Sequence, residues 1–201
     1  MKEETDTADK SGLGSAEPSP ERNATALHIL HPDWSGKLAK LVKEEFSRGD
    51  IILVGVGHPL RADDSVGSLV AKDLARKPGA RSGVTIIDAE NSPENILHIL
   101  WKTKPRLVVV VDSIEAGLSP GSIILVDLDQ TTYPYLSTHN IPMKLLLEAA
   151  PGIHRTVLLG IQPASYEVGE PLSHQVENAR SMVVRELREL IEAVSSGPGT
   201  D

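Results

Sequence analysis

The segment Ile51-Ile52-Leu53-Val54-Gly55-Val56-Gly57-His58-Pro59-Leu60-Arg61-Ala62-Asp63-Asp64-Ser65-Val66 carries the main clue to the fold. Its first six residues form a short, nearly continuous apolar run, as expected for a strand covered on both faces. Val66, Leu69, Val70 and Leu74 then recur at helical spacing, and Pro78-Gly79 marks the end of that pattern. The loop between strand and helix holds Gly55 and Gly57, which suggests a dinucleotide fingerprint, with Asp88 placed as the ribose-binding acid. However, the third glycine is due at position 60, which is Leu, and Pro59 stiffens the turn. Asp63 and Asp64 close the loop. An Asp before a helix is a favoured N-cap and suits the helix dipole, but only one of the two can cap. The other is left as a carboxylate near a strand end.

Strand and helix patterns alternate outward from this unit. Trp34, Leu38, Leu41, Val42 and Phe46 mark a preceding helix between Pro32-Asp33 and Gly49. Val84 to Ile87 reads as the next strand, and Asn91-Ser92-Pro93-Glu94 opens a helix to about Lys102. Leu107 to Val111, Ser122 to Leu128 and Thr156 to Ile161 read as further strands. A helix is expected from Ile141 to Ala150. A closing helix carries Val176, Val183, Val184, Leu187, Leu190, Ile191 and Val194 on one stripe. This order implies an α/β fold: a three-layer α/β/α sandwich around a mostly parallel, five-stranded twisted sheet. The strand at 122–128 follows its predecessor with no room for a helix, which fits an antiparallel edge strand. Ligands of such sheets sit at the carboxyl ends of the strands, so the residues just after Val56, Ile87, Val111 and Leu128 matter most.

The chain has 201 residues, a formal net charge of −8 and no cysteine. That excludes disulfide scaffolds, zinc ribbons, iron–sulfur centres and a thiol nucleophile. The acidic balance argues against a nucleic-acid partner, and no apolar run is long enough for membrane insertion. Residues 1–26 are polar and acidic, with Leu13 their one large apolar residue after Met1, and read as a disordered extension. Residues 27–194 form the expected domain, 195–201 a flexible tail, and the compartment is expected to be the cytoplasm.

Asp112 ends a strand of four consecutive valines, where a carboxylate must be solvated, capped or metal-bound. Right-handed crossovers place that strand beside Ile51–Val56, so Asp64 and Asp112 converge. His139 stands in Leu136-Ser137-Thr138-His139-Asn140-Ile141-Pro142, at the mouth of the expected helix. Two carboxylates and an imidazole suit a borderline divalent ion such as nickel, zinc or manganese. No Gly-x-Ser-x-Gly elbow, His-Glu-x-x-His helix or Gly-Lys-Ser/Thr loop is expected, so serine hydrolases, zincin peptidases and P-loop enzymes are not expected either.

Together these residues resemble the hydrogenase maturation endopeptidases, which trim the large subunit of nickel–iron hydrogenases. The resemblance spans about Ile51 to Leu190. Its markers are Gly55-Val56-Gly57-x-Pro59-Leu60-x-x-Asp63-Asp64-x-x-Gly67, Val111-Asp112, Ser137 to Pro142, and Gly160-Ile161-Gln162-Pro163. The Thr-His-Asn and Gly-Ile-Gln-Pro segments look most like the formate-hydrogenlyase branch. The resemblance implies a peptidase whose Asp64, Asp112 and His139 bind nickel carried by the substrate, or another divalent cation in its place, and serve as its catalytic residues. The implied partner is the large-subunit precursor, whose C-terminal extension is removed. Asp63 is a further candidate for activating water, and His58 stands where the family usually has Asn. A nucleotide-binding module using Gly55, Gly57 and Asp88, and an assembly chaperone that does not cut, are the alternatives.

Overall fold

The computed structural model describes residues 30–31, 33–76, 83–129 and 152–195. The expected extension 1–26, the helix expected at 141–150, His139 and positions 196–201 lie outside them. The strands are β1 (Leu30–His31), β2 (Ile51–Val56), β3 (Val84–Glu90), β4 (Leu107–Ser113), β5 (Ile123–Asp127) and β6 (Arg155–Ile161). The helices are α1 (Trp34–Phe46), α2 (Val66–Ala75), α3 (Leu97–Thr103) and α4 (His174–Ser195). Short 3-10 turns at Ala62–Ser65 and Pro93–Ile96 lead into α2 and α3.

The sheet runs β1-β5-β6-β4-β2-β3. β3, β2, β4 and β6 are parallel neighbours, while β5 is antiparallel to β6. The five expected strands are therefore present, with β5 the antiparallel one. Two residues of β1 extend the sheet beyond β5, at Leu30↔Val126 and His31↔Leu125. A two-residue strand has no periodicity to read in sequence.

β2 and β4 lie side by side as the crossover rule requires, with Gly55 opposite Val111. All seven residues of β4 are buried, because helices cover both faces. Leu107, Val109 and Val111 join a core with α1, α2 and α4, whereas Val108 and Val110 join a second core with Leu100 of α3. Period-two alternation thus splits one apolar run between two cores. The final residues of α4 are less enclosed than its stripe suggests: Val176, Val183, Val184 and Leu187 are buried, and Leu190, Ile191 and Val194 half-buried. Ser195, assigned by sequence to the tail, closes α4 and donates to the Ile191 carbonyl at 2.7 Å. Among the described residues, no helix is long and apolar enough to cross a membrane.

Candidate active site

The glycines in and beside the first loop serve close packing. A Cβ on Gly67 would stand 2.0 Å from the Val111 carbonyl oxygen and 2.3 Å from that of Val56. One on Gly55 would stand 2.1 Å from the Gly67 oxygen. α2 therefore begins directly against the ends of β2 and β4, and the glycine that matters third is 67, not 60. Gly57 has φ of +151°, and a Cβ there would meet the Asp64 carbonyl oxygen at 2.0 Å. The loop folds back on itself and is braced by Gly57 N donating to the Glu90 carbonyl at 2.8 Å. His58 braces it too: its Nδ1 accepts from Leu60 N at 3.2 Å. Asp88 accepts from Lys72 Nζ at 3.2 Å and from Glu90 N at 3.1 Å, so it is engaged with its own neighbours.

The two aspartates of the loop lie within the 3-10 turn, and neither caps a helix through its side chain. Asp63 is fully buried. Its Oδ2 accepts from the backbone N–H groups of Ala164 (2.8 Å) and Ser165 (3.1 Å), and its Oδ1 from that of Ser173 (2.7 Å). It fastens the loop after β6 and the approach to α4 onto the first loop. With both oxygens engaged by three donors, Asp63 is poorly placed to take a proton from water. Asp64, 4% exposed, accepts longer bonds: from Ser113 Oγ to Oδ1 at 3.2 Å, and from His58 N to Oδ2 at 3.3 Å.

Ser113 directly follows Asp112. The bond from Ser113 thus joins the Asp64 loop to the end of the strand carrying Asp112. Asp112 itself is 0% exposed and pairs in register with Gly160 of β6. Strand alternation sets its side chain on the face of Val108 and Val110. Among the described residues no group of three or more His, Asp or Glu is placed to hold a metal ion. His139, the third residue of the expected set, lies outside them.

Three polar residues here had no assigned role in the sequence. Ser113 carried no signal beyond its place after Asp112. Gln162 belongs to the Gly160–Pro163 segment; its Oε1 accepts from Ala116 N (2.8 Å) and Leu118 N (3.2 Å) and its Nε2 donates to Glu115 (2.7 Å). It shapes the loop after β4. Tyr166 follows the residues tied to Asp63, and its ring lies under the Arg61 guanidinium, 6.0 Å from centroid to Cζ. Burial pushes its hydroxyl well above the usual phenol range; Glu115, Asp64 and Asp112 add to the rise, and nearby Ser113 opposes it.

Gly117-Leu118-Ser119-Pro120-Gly121 does spell Gly-x-Ser-x-Gly, although no elbow of that pattern is expected from the sequence. It joins β4 to antiparallel β5 with no helix following, so it is not a strand-to-helix nucleophile elbow. Ser119 is an exposed turn residue whose carbonyl accepts from Ser122 N at 3.0 Å.

Sheet, crossovers and loops define a three-layer α/β protein with buried carboxylates at the carboxyl edge of its central strands. A family model described as hydrogenase maturation protease matches residues 68–189, more than half of the chain. The chain belongs to that family, whose members are hydrolases acting on peptide bonds. The matched span includes positions 112 and 139 and begins shortly after Asp64. The hydrogenase 3 maturation protease of Escherichia coli K12 is 29% identical over 138 residues, covering 68% of this chain and 87% of that one. The crystal structure of a nickel–iron hydrogenase maturation protease HycI from Thermococcus kodakarensis matches with a TM-score of 0.65 at 29% identity, over 76% of this chain and 99% of that one. The solution structure of the endopeptidase HycI from Escherichia coli matches with a TM-score of 0.62 at 27% identity, over 70% and 90%.

Proposed function

We propose that this protease removes the C-terminal extension from the precursor of a nickel–iron hydrogenase large subunit, and does so only once the precursor carries nickel. Asp64, Asp112 and His139 would complete the coordination of that substrate-borne ion, holding the adjoining peptide bond in register. The observation that carries this reading is the bond from Ser113 to Asp64. It sets one buried carboxylate beside the strand end that bears the other. Carboxylate oxygens and an imidazole nitrogen form a suitable ligand set for a borderline divalent ion.

Water would add to the scissile carbonyl carbon, the C–N bond would break, and the leaving amine would take up a proton. The bound metal polarises the reacting groups, and a carboxylate serves as base. Asp63, with its oxygens engaged, is disfavoured for that role. We place the reaction in the cytoplasm, in keeping with a chain that has no cysteine.

The test uses the large-subunit precursor of the source organism's nickel–iron hydrogenase, purified with and without nickel. Intact-mass measurement should show loss of the C-terminal segment from the loaded form alone. Equal cleavage of both forms would refute metal-gated recognition, and binding without any mass loss would indicate a chaperone.

A further inference from the structure

Among the described residues the two large apolar side chains most exposed to solvent are Val168 (72%) and Leu60 (64%). They are far apart in sequence, yet they stand on one rim. Gly169 N donates to the Leu60 carbonyl at 2.8 Å, and Arg61 pairs with Val168 in an isolated antiparallel bridge. The rim is firmly built. Leu60 N donates to His58 Nδ1 at 3.2 Å, Asp63 N donates to the Ser165 carbonyl at 3.2 Å, and the Asp63 carboxylate holds Ala164 N and Ser165 N. It also continues into the site, since Asp64 N donates to the Arg61 carbonyl at 2.8 Å and Asp64 Oδ2 accepts from His58 N.

A single exposed leucine or valine calls for no explanation. Two of them on one bridged rim, beside a carboxylate of the site, are apolar surface presented on a fixed backbone. Such a surface gains by shedding water against a partner, and an ordered backbone has little freedom left to lose on contact. The partner that must come to this edge of the sheet is the protein whose peptide bond is cut.

We propose that the rim formed by residues 58–61 and 165–169 is a docking surface for the hydrogenase large-subunit precursor, with Leu60 and Val168 packing against apolar side chains of that protein. This rests on the peptidase reading above. The contact does not involve the reacting atoms and is made in ground state and transition state alike, so its loss should appear in KM and not in kcat. Leu60→Ser should raise KM about tenfold and Val168→Thr about threefold, on the scale of the apolar area each change removes. Because both side chains are exposed, the Tm of each variant should stay within about 2 °C of the wild type.

The experiment measures initial cleavage rates against the concentration of nickel-loaded precursor for wild type, Leu60→Ser and Val168→Thr, with a thermal melt and a sedimentation run of each. A raised KM in both variants, with kcat and Tm retained, supports the proposal. An unchanged KM in either variant overturns it, and so does a Tm lowered by several degrees, which would make these side chains part of the packing. A wild-type dimer that dissociates in the variants also overturns it, because a second copy of this chain would then cover the rim. If the wild type fails to cut the loaded precursor, the functional reading falls and this inference with it, a result seen before the variants are compared.

Discussion

Asp63 and Asp64 are adjacent and chemically identical, yet they are held in opposite ways. Three backbone N–H groups converge on Asp63 from a segment about a hundred residues downstream. Asp63→Ala would leave those part-buried donors without their acceptor and should cost about 2 kcal/mol of unfolding free energy in urea titration. Asp63→Asn, which keeps one oxygen acceptor, should cost less. Asp64→Asn retains an acceptor for Ser113 and should change stability by only about 1 kcal/mol while abolishing precursor trimming. If Asp64→Asn cuts at the wild-type rate, Asp64 has no part in the reaction. The sequence singled out the pair but could not tell the two apart, since the donors that distinguish them arrive only when the chain folds.

At the scale of elements, the contact between α2 and the sheet sets the geometry of the site. Val111 O and Val56 O stand where a Cβ on Gly67 would go, and both are backbone atoms that cannot turn aside. Gly67→Ala should therefore lift α2 from the ends of β2 and β4. A cost of about 3 kcal/mol is expected from such overpacking, read as a lower urea midpoint. Cleavage should fall with it, because the Ser113 bond to Asp64 spans that same junction. A variant with native stability and activity would show that the junction can relax. The glycines at 55, 57 and 67 were visible in the sequence, but their purpose was not. A dinucleotide fingerprint and a close helix–strand contact both call for glycine, and only the folded structure shows which backbone atoms approach. The apolar runs of β2, β4 and β6 were readable because burial on both faces leaves no polar interruptions.

For the whole molecule, the sheet separates two cores. Leu187 of α4 lies in one and Leu100 of α3 in the other, at 2% and 0% exposure. Leu187→Ala and Leu100→Ala should each cost about 2–5 kcal/mol through lost burial and the cavity left behind. Because the sites are on opposite faces and share no contact surface, the double variant should show the sum of the two costs to within about 0.5 kcal/mol. Strong non-additivity in calorimetric or urea unfolding would mean that the sheet transmits packing changes between layers. Polar ties hold the helices as well. Arg106, beside the start of β4, donates twice to the buried Glu45 of α1, at 3.1 and 2.9 Å, while Arg180 of α4 pairs with Asp73 of α2 within one helix layer.

The alternation of apolar strands with helical stripes was enough to determine the α/β class, the parallel core and the antiparallel β5, since those follow from local periodicity and the short link after β4. Family membership was equally visible, carried by four short motifs in order. Folding alone decided which aspartate is clamped, which accepts from Ser113, and why Gly67 rather than position 60 completes the loop. Each of these depends on atoms far apart along the chain, whose approach is fixed by how helices settle on the sheet and leaves no trace in local sequence pattern.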